Sequence, residues 1–246
     1  MLARSATGQK VSASPILEEI DGTLVVREDL FPGGTKSRYL ATLYEDADEV
    51  VYASPCQGGA QYALAFVAHR LGKKATLFVA KRSEPHPRAF EAKALGATII
   101  QVPFGMLSNV QATAKRYCED TGAKLAPFGM DVPGAVDAIS AAAKTLKVKP
   151  REVWCAGGSG VLGRAMRATW PDAEINVVMV GRKTRPVSGA NHIFFPKPFE
   201  WRAKQPPFPS DPHYDAKAWQ ICQSRGKRPG PVLFWNVTGP AKPPAP

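Results

Sequence analysis

The chain switches repeatedly between two spacings of apolar residues. Short apolar or β-branched runs occupy 24–27, 49–53, 75–80, 97–102, 152–156, 175–181 and 232–237. Between them, residues 37–47, 61–71, 87–95, 108–121, 132–146, 161–170 and 211–223 carry helical spacing or helix-forming composition. Leu64, Val67, Ala68 and Leu71, for example, fall on one side of a helical repeat. Gly72, Gly96 and Gly122 stand where three of these helices should end, because glycine accepts the left-handed conformation of a helix terminus. Asp21-Gly22 marks a turn between the entry segment 14–20 and the first strand. Strands alternating with helices predict an α/β fold, a mostly parallel sheet with helices on both faces. Ligands in such sheets gather at the carboxyl ends of strands. Three turns fall at such ends: 32–36, 57–59 and 157–160.

The pattern breaks at 183–210. Pro186, Pro196, Pro198, Pro206, Pro207 and Pro209 interrupt any long helix, and Phe194, Phe195, Phe199, Trp201 and Phe208 make the stretch an aromatic-rich arm. The expected organisation follows in chain order. A flexible N-terminus covers 1–13, and an α/β core covers 14–182 with a small subdomain at about 40–125. After the arm, residues 211–239 complete the core with a helix and a strand, and 240–246 form a disordered tail.

With 246 residues, 44% hydrophobic and 22% charged, the chain is long enough and apolar enough to bury a substantial core. Its charge is less ordinary: 32 Lys and Arg against 21 Asp and Glu give +11, with a pI near 9.6. Such a field favours anionic partners, nucleic acid among them, without choosing between them. Cys56, Cys118, Cys155 and Cys222 are widely spaced, which argues against zinc and against a disulfide framework and fits reduced thiols in the cytoplasm. The four histidines show no metal spacing, so no metal is expected. No apolar run approaches the about 20 residues of a membrane helix, and 1–13 lack a signal-peptide core.

Candidate chemistry clusters in five segments. In Pro32-Gly33-Gly34-Thr35-Lys36-Ser37-Arg38, Thr35 is the expected N-cap and Lys36 falls in the first helical turn. A helix N-terminus is electropositive, which favours the neutral amine, the nucleophilic form. The turn Gly157-Gly158-Ser159-Gly160 leads from strand to helix, where converging backbone amides hold anions. Ser54, Gln57, Gly58, Gly59 and Gln61 lie on another strand-to-helix turn. Tyr214 and Asp215 start the last helix, and Asn236 and Thr238 end the last strand. Each segment alone has an ordinary explanation: a solvated lysine, a tight turn, a packed tyrosine behind a helix cap, a core strand.

Taken together and in order, they resemble the fold-type II pyridoxal-phosphate enzymes, the tryptophan synthase β superfamily. Ser14-Pro15-Ile16 is similar to that family's entry, Val26-Arg27-Glu28-Asp29 to its strand end, and Lys36 followed by Arg38 to its Schiff-base segment. The glycine turn resembles the family's phosphate cradle, with Gly160 where threonine is usual. Residues 54–61 take the place of its Ser-x-Asn loop, with Gly59 at the asparagine position. Asp211 to Ala218 and Val232 to Gly239 resemble the D-cysteine desulfhydrase and aminocyclopropane-carboxylate deaminase branch. The short chain implies a reduced small domain.

The resemblance implies roles. Lys36 would hold pyridoxal 5'-phosphate as an internal aldimine and then act as the base, with Tyr214 the second catalytic residue. Gly157, Gly158, Ser159 and Gly160 would bind the phosphate, Asp215 or Thr238 the ring nitrogen, and Asn236 a further polar contact. Ser54, Gln57, Gly58, Gly59 and Gln61 would bind substrate, Gln57 or Gln61 supplying the amide that Gly59 lacks. The implied activity is carbanion chemistry on an amino acid or other amino-group substrate, of lyase or deaminase type. Two alternatives stand beside it: modification of an amino group carried on nucleic acid, and a non-catalytic relic that binds phosphate ligands. Homodimers are common in the family.

Overall fold

The computed structural model describes residues 14–103, 105–181, 185–225 and 229–242. The expectations for 1–13 and for the end of the tail fall outside this range. Strands β1 (Leu17–Ile20) and β2 (Thr23–Arg27) form a hairpin over Asp21-Gly22, both of which take positive φ. Where one helix was expected at 37–47, two short 3-10 helices appear, Thr35–Arg38 and Leu40–Tyr44. The Ser37 hydroxyl turns back to the carbonyls of Pro32 (2.7 Å) and Gly34 (2.8 Å), a local side-chain bond that competes with the helical pattern in the first turn.

Next come β3 (Glu49–Ser54), α1 (Ala60–Leu71), β4 (Lys74–Ala80), α2 (Pro87–Ala94), β5 (Thr98–Val102), α3 (Leu107–Thr121) and β6 (Lys124–Leu125). They build an all-parallel sheet in the order β5-β4-β3-β6. Helix α4 (Ala135–Lys144) leads to β7 (Glu152–Gly157), α5 (Val161–Thr169), β8 (Glu174–Met179), β9 (Asn191–Phe194), α6 (Asp215–Ser224) and β10 (Val232–Asn236). The second sheet has the order β1-β2-β10-β7-β8-β9 and is parallel except at the β1–β2 hairpin. The α/β expectation holds, with two sheets in place of one.

Alternation along the strands explains the layering. Val50 and Tyr52 of β3, with Val153 and Cys155 of β7, face a shared central core with α1, α4 and α5. Val51 and Ala53 face the outer side with Val110 and Ala114 of α3. Trp154 and Phe234 face α6 through Ala218, Trp219 and Cys222. Both faces of each sheet are thus buried, and the strands read as unbroken apolar runs. Strands β6 and β9 escaped sequence reading. The first has two residues; the second lies inside the proline-rich arm as an edge strand, where nearby prolines break no ladder.

Candidate active site

The Lys36 turn is held from both sides by charge. Glu28, fully buried, accepts two hydrogen bonds of 2.6 Å from the Arg38 guanidinium, which also lies 4.1 Å over the Phe31 ring. Arg27 grips Asp29 through two bonds of 2.9 and 2.8 Å and pairs with Glu18. The charges at 27–29 and 38 therefore build the turn, and none of them is left over for a ligand. Thr35 departs from its expected role. Gly34 is the N-cap residue, and the Thr35 hydroxyl accepts from Trp235 Nε1 (2.9 Å) while its amide donates to the Val237 carbonyl (3.1 Å). These contacts pin the turn to the end of β10.

Lys36 itself is half-buried, and among the described residues its amine makes no hydrogen bond or ion pair. Burial pushes its pKa below the ordinary lysine value, and the carboxylates of Asp215 and Asp211 pull it partly back. Both carboxylates stand in the segment before and at the start of α6. Asp211 is committed to structure: it accepts from Arg88 Nη2 (3.1 Å) and from the His213 amide (2.9 Å). Arg88, at the start of α2, also donates to the Gly239 carbonyl and Glu91, so it joins the small sheet's helix to the C-terminal segment.

Asp215 is less satisfied. Its Oδ2 accepts from the Val237 amide at 3.2 Å, but its Oδ1 is buried with no partner. Burial and the neighbouring Asp211 raise its pKa well above the carboxylate range, against the pull of Lys36 and the amides of Thr238 and Val237. Tyr214 packs edge-on against Phe199 with centroids 5.2 Å apart. Burial raises its phenol pKa far enough to keep it protonated at neutral pH.

The turn 157–160 lies at the carboxyl end of β7 and opens α5. Gly160 takes φ +81, and a Cβ there would lie 2.9 Å from the Arg185 carbonyl oxygen, so no side chain fits. Ser159 is half-buried, with Gly129 packed directly against it. Arg164 Nη2 and Arg185 Nη1 both bind Asp131, at 2.7 and 3.0 Å.

The predicted site residues do not all converge in the same way. Gly34 and Gly59 both approach Thr238, where added Cβ atoms would meet the threonine at 3.2 and 3.3 Å. The Lys36 turn, the 54–61 loop and the end of β10 therefore meet. Asn236 is a correction. Its Nδ2 donates to Asp29 Oδ1 (2.7 Å) and the Pro209 carbonyl (2.9 Å), and its Oδ1 accepts from Ser210 (2.8 Å). A buried amide with these bonds made has no donor left for a ligand. Gln61 likewise spends its Nε2 on the carbonyls of Pro55 and Cys56, both at 2.9 Å, and Ser54 Oγ turns to the Pro55 carbonyl. These two side chains shape the loop, although Gln61 Oε1 is buried without a partner, and the half-exposed Gln57 keeps both ends of its amide unbonded among the described residues. Sequence reading missed Tyr52 and Asp131, which come beside the 157–160 turn through Gly129 and through Arg164 and Arg185. Their spacing reads as core or loop, and only the packing of β3 against 128–131 brings them in.

No protein-family model matches the chain, and no curated protein does. Solved structures match over nearly its whole length. An ACC deaminase homologue aligns with TM-score 0.78 at 16% identity, covering 94% of this chain and 91% of its own. The processed form of threonine deaminase isoform 2 from Solanum lycopersicum aligns at 0.70 and 14%, covering 92% and 79%. The O-acetylserine-dependent cystathionine β-synthase from Helicobacter pylori aligns at 0.68 and 17%, covering 97% and 96%. The chain therefore shares one fold with these three structures, over nearly its whole length.

Proposed function

We propose that the protein is a pyridoxal-phosphate-dependent enzyme acting on a small amino-group substrate, with elimination or deamination as the outcome. The observation that carries this reading is the pair Lys36 and Asp215. One is an amine with no hydrogen bond or ion pair and a lowered pKa; the other is a buried carboxylate with one oxygen unpartnered. An unpartnered buried carboxylate oxygen is costly, and a protonated pyridine nitrogen would satisfy it. The residues present fit the cofactor: Lys36 for the aldehyde carbon, Asp215 for the ring nitrogen, and the amides at 157–160 with Ser159 for the phosphate.

When bound, pyridoxal phosphate supplies a ring that draws electron density from the carbon next to the substrate nitrogen. The chain's own residues do the rest. Lys36 Nζ, once free, takes the proton from that carbon, and its lowered pKa suits a base working near neutral pH. Tyr214 keeps its hydroxyl proton and would pass it to a leaving group. The 54–61 loop binds the substrate's anionic end through backbone amides at the start of α1 and through Gln57.

The test is the absorption spectrum of the purified protein with added pyridoxal phosphate, followed by borohydride and peptide mapping. A visible band and a reduced adduct confined to Lys36, absent in Lys36→Ala, are expected. An adduct scattered over surface lysines, or no band, would refute the cofactor reading.

A further inference from the structure

Tyr52 belongs to the inward-facing row of β3 and is only 3% exposed. Its hydroxyl oxygen accepts from the Gly129 amide at 3.4 Å, and no described residue accepts its proton. Gly129 sits at φ +79 and so close to Ser159 that a Cβ on it would lie 2.6 Å from the serine's Cβ. The Tyr52 hydroxyl is therefore one residue's breadth from the 157–160 turn. It also shares a neighbourhood with the phenols of Tyr39 and Tyr214. Burial pushes the Tyr52 phenol up to about 12, so it carries its proton at neutral pH.

The turn itself is short of side-chain donors. Gly160 excludes any side chain, and the nearby Arg164 and Arg185 are paired with Asp131. A buried O–H with no acceptor costs stability unless something accepts from it. We infer that the Tyr52 hydroxyl donates a hydrogen bond to the phosphate group held at 157–160, replacing the side-chain donor that Gly160 lacks. This rests on the proposed function only for the identity of the molecule carrying the phosphate.

The experiment compares wild type with Tyr52→Phe, which removes one oxygen and keeps the ring's packing. Three probes are titrated: pyridoxal phosphate and pyridoxal, followed by absorption, and inorganic phosphate, followed by thermal stabilisation. A hydrogen bond to a charged phosphate makes Tyr52→Phe bind pyridoxal phosphate about tenfold more weakly, with pyridoxal unchanged within about twofold. Inorganic phosphate should stabilise the variant less than the wild type. Equal weakening of both vitamers would mean a packing role and overturn the inference, as would no weakening of either. If wild type takes up no pyridoxal phosphate but inorganic phosphate stabilises it more than the variant, the cofactor reading falls and the Tyr52 contact stands. Stabilisation of wild type by neither compound overturns both.

Discussion

Replacing Arg38 by methionine tests whether the Lys36 turn rests on the Glu28–Arg38 pair. Glu28 is 0% exposed and its two oxygens each accept a bond of 2.6 Å from Arg38. Arg38→Met keeps most of the stem but leaves a carboxylate in the interior without its cation. Removing one partner of a buried pair costs about 3–5 kcal/mol. Loss of the guanidinium over Phe31, 4.1 Å away, adds about 0.5–2 kcal/mol. The double variant Glu28→Gln, Arg38→Met leaves a neutral amide instead, whose unmet bonds cost about 1–3 kcal/mol. Urea unfolding of wild type, both single variants and the double variant closes the cycle. The expected result is a double variant more stable than Arg38→Met alone, a coupling that contacting residues show and independent ones do not. Simple additivity, or a loss below about 1 kcal/mol for Arg38→Met, would refute the argument that buried charge holds this turn. Borohydride labelling of Lys36 should fall in Arg38→Met in parallel, since residues 28 and 38 flank the lysine.

Three further outcomes follow from the same geometry. Asp215 has a folded pKa above its unfolded value, so its contribution favours folding fully below the unfolded carboxylate range and is lost as pH rises through the folded value. Asp215→Asn should therefore gain on wild type as pH rises, reaching about 1–3 kcal/mol at neutral pH without cofactor, while binding pyridoxal phosphate more weakly; an unchanged pH profile in thermal unfolding would contradict this. Gly129→Ala meets both positive φ and a Cβ contact of 2.6 Å, and should lose about 2–4 kcal/mol in urea unfolding, where a loss within 0.5 of zero (about the noise of surface changes) would show the 128–131 segment to be plastic. Lys217→Met removes the ammonium that donates to the carbonyls of Pro198 (3.1 Å) and Phe199 (2.8 Å), and should cost about 1.5–3 kcal/mol and open the 195–204 stretch to limited proteolysis; an equally resistant arm would mean that its aromatic contacts suffice.

The features legible in the sequence were those written in local chemistry. The strand-to-helix rhythm announced an α/β fold because burial on both faces leaves apolar runs, and the helix ends were marked by glycine. The lysine turn stood out because Pro32-Gly33-Gly34 forces a turn and because charges at 27–29 and at 38 bracket it. What sequence could not supply was the partner of each polar group. Thr35 looked like a helix cap, yet its hydroxyl meets Trp235, two hundred residues further along the chain. Asn236 looked like a ligand contact, yet parallel pairing with β2 sets it beside Asp29.

The sequence by itself determined the class of fold, the place of Lys36 and the glycine turn at 157–160, because spacing, turn formers and caps act over a few residues. Tertiary structure alone decided which side chains were spent and which were left. It committed Asp211, Asn236 and the amide nitrogen of Gln61 to internal bonds and left Lys36, one oxygen of Asp215, the Gln61 Oε1 and the proton of Tyr52 without partners among the described residues. Satisfaction of a buried polar group depends on which strand lies alongside and how closely two turns approach. Those distances are set when the two sheets close on their shared core.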